Sequence, residues 1–136
     1  MNQNGVSKKM IWTGRVLSGL AVLFLLFDGI MKFFMDKLPP EALQAGAVLQ
    51  WPVELMPVVG TILLVCVALY IIPRTSVIGA ILLTGYLGGA IASHVRVRNP
   101  LFSHTLFPIY IAAFIWVGLY LRDSRVKAII MPKEAV

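Results

Sequence analysis

Charge is what this sequence has least of. Six of its 136 residues are Asp or Glu, and charged side chains make up 13% of the chain, against roughly 25% in an ordinary soluble domain. Cysteine is nearly absent too. The single Cys66 excludes an intrachain disulfide, a CxxC redox pair and a cysteine-based zinc site. It lies inside an apolar run with no basic neighbour and reads as a small buried hydrophobe. Two histidines ten positions apart, with the carboxylates far away, make a weak metal-ligand pattern, and no metal is expected. Glycine-rich nucleotide loops and haem or cluster ligand sets are missing, so any demanding redox chemistry needs a borrowed cofactor. Long loops, fixed-period repeats and low-complexity tracts are missing as well, and residues 1–136 read as one domain.

What fills the chain instead is apolar. Hydrophobic residues account for 59% and the mean hydropathy is +0.86, too much for one small aqueous core and suited to a surface that faces lipid. Crossing the hydrocarbon takes about 20 helical residues. Four segments qualify: about Met10 to Phe34, Leu55 to Ile72, Ser76 to His94 and Thr105 to Leu121. The expected fold is therefore all-α, an antiparallel up-down bundle of four transmembrane helices. A secretory signal competes for the first segment, but the run is long for one and no A-x-A site follows, so it reads as an anchor. Pro73-Arg74 leaves almost no linker between the second and third spans, which makes them adjacent and antiparallel. Thr75 or Ser76 is the expected cap of the third helix. Thr105 is expected to cap the fourth, with Pro108 in its first turn.

The few charges carry the orientation. With an even number of spans, Lys8, Lys9, Arg15, Arg74, Arg122, Arg125, Lys127 and Lys133 share one side. Lys32, Lys37, Arg96 and Arg98 occupy the other. The bias places both termini in the cytoplasm of a bacterial inner membrane. The net charge of +6 is dispersed between apolar blocks, with no basic stripe or stacking platform, which excludes nucleic acid as a partner. Interfacial aromatics are expected at Trp12, Trp51 and Tyr120. Gly85, Gly89 and Ser93, at four-residue spacing beside Gly88 and Ala92, read as a helix-packing stripe. Gly14 and Gly118 stand alone.

Polar residues gather at the outer level. Asp28 and Lys32 are four apart, hence on one helical face, either as a local ion pair or as part of a site. Glu54 in "WPVELMP" follows Pro52, the expected first helical position, and fits the positive helix end as well as a site role. "PPEALQAGAVLQW" resembles a short surface helix. His94 ends the third helix, Arg96 and Arg98 follow, Asn99-Pro100 turns the chain, and His104 opens the fourth. These residues bound one expected outer pocket. Its arginines suit an anion and its histidines suit quinone carbonyls. The bland alternative for the arginines is snorkelling to the interface.

The stretch "IIPRTSVIGAILLTGYLGGAIASHVRVRNPLFSHTLFPIYIAAFIWVGLYLRD" resembles the DoxX-like family of small bacterial membrane proteins, best over about Trp51 to Asp123 and more loosely into the first helix. The resemblance implies a four-helix membrane bundle, with relatives tied to quinone-linked sulfur oxidation and membrane oxidoreductase complexes. Relatives commonly carry a glutamate in the second helix where this chain has Leu63. The expected function is a ligand- or quinone-binding accessory subunit of a membrane redox complex, its partners the bilayer and another membrane or redox subunit. The alternative is a non-catalytic module that binds lipid or stabilises a complex. A carrier is the weaker third class, since no inverted repeat or broken helix pair is visible. No catalytic residue is assigned.

Overall fold

The computed structural model describes residues 7–46 and 49–132. Among them every regular element is helical: α1 (Lys8–Met31), α2 (Pro40–Gly46), α3 (Met56–Ile71), α4 (Ser76–Arg96), α5 (Phe107–Arg122) and α6 (Ser124–Ile130). With their flanking turns, four of these are long and apolar enough to cross a membrane: Lys8–Met31, Val53–Ile71, Ser76–Arg96 and Leu101–Arg122. α1 and α4 each pack against both α3 and α5, closing a four-helix bundle. The near end holds the start of α1, the α3–α4 turn and α6. The far end holds the α1–α3 crossover and the α4–α5 turn. Large apolar side chains such as Leu23, Phe27, Val65 and Ile81 lie exposed on the perimeter, as a lipid-facing surface requires. The chain is an integral, multi-pass membrane protein.

The helix ends depart from expectation by a few residues, each for a local reason. α1 starts where Ser7 accepts from the Met10 amide at 3.3 Å, an N-cap. It stops at Met31, because Phe33 and Phe34 donate three residues back, to Ile30 and Met31, and tighten the turn. Pro52 is not the first residue of α3. Pro57 has no N–H to return to Val53, so Val53–Leu55 forms a 3-10 turn and α3 begins at Met56. Thr75 is the N-cap residue of α4, as expected, but neither its side chain nor that of Ser76 makes a capping hydrogen bond to the helix. Their hydroxyls turn back to the carbonyls of Leu69 (2.8 Å) and Pro73 (3.1 Å), sealing the end of α3. Thr105 does not cap α5. It sits in a π-turn, Leu101–Thr105, and donates to the Asn99 carbonyl at 3.3 Å. Pro108 is in the first turn of α5 as expected. The surface helix between the first two spans is α2, while residues 47–48 of that segment lie outside the described residues.

The helix-packing glycines are not those of the α4 stripe. A Cβ on Gly85, Gly88 or Gly89 would meet nothing within 4 Å. Close approaches lie elsewhere: Gly79, outside the stripe, lies against the α3 backbone at Tyr70, and between α1 and α5 a Cβ on Gly14 would come 2.7 Å from the Gly118 carbonyl, and one on Gly118 2.5 Å from Ser18 Oγ. α1 and α3 cross in the same way, with a Cβ on Gly60 only 2.8 Å from the Gly29 carbonyl. Close backbone approach replaces the hydrophobic driving force that lipid removes. None of these glycines belongs to a four-residue glycine repeat in its own helix, and the pairing exists only between helices. The core inside the crossings is formed by Ala21, Leu25, Leu63, Val67, Tyr70, Leu83, Ile115 and Leu119.

Two polar clusters hold the near end. Tyr70 of α3 is 1% exposed, Ser18 of α1 is 6% exposed, and their hydroxyls are 2.8 Å apart. The Tyr70 hydroxyl donates to the Ile115 carbonyl of α5 at 2.9 Å, and Arg122 Nε donates to Ser18 Oγ at 3.0 Å. Because Tyr70 spends its proton on Ile115, Ser18 must donate to Tyr70. The chain Arg122 to Ser18 to Tyr70 to Ile115 is thus fully satisfied. At the C-terminal side, Asp123 caps α6 by accepting from the Arg125 amide, and Arg125 reaches the Pro73 carbonyl at 2.5 Å. Hydrogen bonds from Arg125 hold the Asp123 carboxyl below its ordinary pKa. Arg122 and Arg125 are therefore structural as well as basic flanks; Lys133 lies outside the described residues.

Candidate functional site

At the far end the four long helices diverge around a cavity of about 700 Å3. The α4 glycines explain the space. Gly85 and Gly89 line the cavity and give it no side chain, so the stripe makes room for a ligand-sized volume rather than for a helix. Gly85 lies nine residues before His94, so the cavity reaches about 13 Å down α4 at 1.5 Å per residue. Its deep walls are apolar, with Leu25, Val59, Ile62 and Ile111 among them. Leu43, Leu49 and Trp51 of the α1–α3 crossover cover the mouth.

The polar groups concentrate at that mouth. Lys32 Nζ pairs with Asp28 at 2.5 Å, one helical turn apart on α1, which neutralises both charges next to the apolar wall. Trp51 Nε1 donates to Ser93 Oγ at 3.3 Å, and Ser93 donates onward to the Gly89 carbonyl at 2.9 Å. His94 lines the cavity beside Ser93.

The other expected residues divide. Arg96 does not line the cavity. Its guanidinium donates to the Leu49 carbonyl at 2.8 Å and lies 6.0 Å from the centre of the Trp51 ring, so it fastens the crossover over the mouth. Arg98 has φ +56° and is the left-handed residue of a Schellman motif ending α4. Arg98 N–H bonds Val95 O at 3.0 Å, and Asn99 N–H bonds His94 O at 3.1 Å. His104, exposed on the π-turn, hydrogen-bonds Ser103 at 2.7 Å; its ring centre is 6.0 Å from that of His94 in an edge-to-face arrangement. Glu54 is exposed on the 3-10 turn and faces a separate shallow groove with Lys32, Asp36 and Pro57. Asp28, Lys32 and His94 thus share the cavity. Arg96 covers it, and Arg98, His104 and Glu54 lie outside it. Sequence reasoning passed over Trp51 and Ser93 as cavity groups. Their interfacial position and small size signalled packing or anchoring, and only the crossover's return over α4 joins them.

Among the described residues no three His, Cys, Asp or Glu side chains converge into a set that could hold a metal ion. Cys66 is buried in the core.

The fold and this cavity set the frame for comparison with known proteins. A profile of the DoxX-like family matches residues 16–118, three quarters of the chain. The chain belongs to the DoxX-like family. No curated protein and no solved structure matches it significantly. The match runs from within α1 through most of α5, so the cavity, its mouth and the Gly29–Gly60 crossing lie within the DoxX-like region, while Gly14 of the α1–α5 crossing lies just before it. Leu63, where the resemblance implies a glutamate, is fully enclosed in the core and is not part of the cavity lining.

Proposed function

We propose that this DoxX-like protein binds a small amphipathic ligand, a quinone, in the far-end cavity and serves as an accessory subunit of a membrane redox complex. The observation that carries the reading is the cavity itself: about 700 Å3, within the 300–1,000 Å3 of small-molecule sites. It is open to apolar contact along its depth and edged at one end by Trp51, Ser93, His94 and the Asp28–Lys32 pair. A quinone ring needs flat apolar walls and hydrogen bonds to its carbonyls, and an isoprenoid chain needs a greasy exit. His94 supplies the hydrogen-bonding group at the polar end, with Lys32 next to it. The quinone supplies the redox chemistry when bound; the protein's residues bind it, orient it and keep charge balanced around it.

The far end is read as the outer face of a bacterial inner membrane, with the termini cytoplasmic, from the excess of Lys and Arg at the near end. The two arginines that run against this bias have structural employment, Arg96 over the mouth and Arg98 in the helix cap.

The test is equilibrium binding of a short-chain benzoquinone to the protein in lipid nanodiscs, with Gly85→Leu discs as the control for partition into lipid. A leucine at position 85 projects into the cavity where a Cβ meets no neighbour, so the variant should fold and lose saturable binding. Equal uptake by both proteins rules the reading out. Retention of a phospholipid by the wild type alone assigns the cavity to lipid instead.

A further inference from the structure

His94 is tied twice to the same residue. The Schellman motif sends the Asn99 backbone N–H to the His94 carbonyl at 3.1 Å. That places the Asn99 side chain over the last turn of α4, where its amide nitrogen Nδ2 sits 2.8 Å from His94 Nδ1. An amide NH2 only donates, so Nδ1 accepts. In a neutral imidazole one nitrogen donates and the other accepts, and fixing Nδ1 as the acceptor puts the proton on Nε2. The pairing is enforced by backbone geometry. Pro100 follows Asn99, Arg98 holds the left-handed position, and the Thr105 hydroxyl donates to the Asn99 carbonyl at 3.3 Å. The amide has little freedom to leave.

We infer that Asn99 is a positioning residue that sets His94 as an Nε2–H donor at the cavity mouth, so that the site selects ligands presenting an acceptor oxygen, the carbonyl of an oxidised quinone over the hydroxyl of its reduced form. This rests on the quinone reading of the cavity. Of the other polar side chains at the mouth, Lys32 pairs with Asp28, and Trp51 Nε1 and the Ser93 hydroxyl donate to partners within the protein. Tyr86 also lines the cavity, eight residues before His94 on α4, so the neutral donor that Asn99 sets at the mouth is His94 Nε2. Its ring stands edge-to-face with His104, which limits rotation from the other side. A site of this kind takes up the oxidised form and releases the reduced one, the polarity a complex that passes electrons to quinone needs from its pocket.

The test needs no variant for its first half. The protein contains two histidines, so ring 15N spectra of His-labelled protein in nanodiscs at pH 8, assigned with His104→Gln, read the His94 tautomer directly. The expected state is Nε2–H with unprotonated Nδ1. For the second half, binding of a short-chain benzoquinone and of its hydroquinone is compared under argon. Wild type should favour the oxidised form by about three- to tenfold, the scale of one net hydrogen bond. Asn99→Asp places an acceptor at Nδ1 and moves the proton there, so at a pH where the 15N spectra show the variant's imidazole neutral the preference should reverse. A merely structural Asn99 would weaken both ligands alike. An Nδ1–H tautomer in the wild type overturns the inference alone, as does an unchanged preference in Asn99→Asp. Binding of neither form, with the tautomer as assigned, overturns the cavity reading and the ligand half of this inference together.

Discussion

Tyr70 reaches from α3 to Ser18 on α1, with 2.8 Å between their oxygens and both side chains buried in the bundle. Removing the phenol oxygen orphans Ser18's proton and one lone pair of the Ile115 carbonyl at once. Interhelical hydrogen bonds of this kind contribute about 0.6 kcal/mol on average and at most about 1.7 in membrane bundles. Tyr70→Phe should therefore lower the unfolding free energy by about 1 kcal/mol in a mixed-micelle titration. Quinone binding at the opposite end should be unaffected. A variant as stable as wild type means the network is held without energetic gain.

The two classes of glycine should respond oppositely. Gly118→Ala inserts a Cβ 2.5 Å from Ser18 Oγ and 2.9 Å from Ser18 N, so α1 and α5 must separate, at a cost of about 1–3 kcal/mol typical of overpacking. Gly88→Ala meets nothing within 4 Å and should be neutral or slightly stabilising through helix propensity. The same unfolding titration checks both. A destabilising Gly88→Ala would show that the exposed α4 face packs on something.

Arg98 occupies a left-handed backbone position, φ +56°, that costs a side-chain-bearing residue about 1–2 kcal/mol and glycine almost nothing. Arg98→Gly should stabilise the protein by about 1 kcal/mol, whereas Arg98→Ala keeps the strain and should not. If the arginine head contributes to ligand binding, both substitutions weaken it equally; if its place is only the cap, quinone affinity is unchanged in both.

Asp123 gives the pH dependence of the near end. Arg125 holds its folded pKa below the unfolded value, which is about 3.9. Its contribution to stability is present in full above that unfolded value and is lost as the pH falls through the lower, folded one. The stability difference between wild type and Asp123→Ala should be constant from about pH 5 upward and shrink in more acidic solution. A difference that grows on acidification would reverse the sign assigned to the pair.

Much of the bundle was legible because apolar length and proline position are local signals. The four spans, the tight turn at Pro73-Arg74 and Pro108 in the first turn of α5 all follow from them. The ends were less so. Whether Thr75 caps forward or seals backward depends on where the Leu69 carbonyl lies after the turn, and composition does not encode that. The glycine reading failed for a similar reason. Regular spacing on α4 made a stripe, but Gly14 and Gly118 pair only across a hundred residues of chain. At the site, shared depth in the membrane placed Asp28, Lys32 and His94 together. Depth says nothing of azimuth, which separates Glu54 and leaves His104 outside the cavity lining. Asn99 looked like turn chemistry and is also the partner of His94.

The most direct measurement is the crystal structure of the protein with a brominated short-chain benzoquinone, located by the anomalous signal of bromine. The expected result is a single bromine peak inside the cavity between Gly85 and His94, with a quinone carbonyl in hydrogen-bond reach of His94 Nε2. Bromine found only among lipid on the outer perimeter, with the cavity holding none, would contradict it.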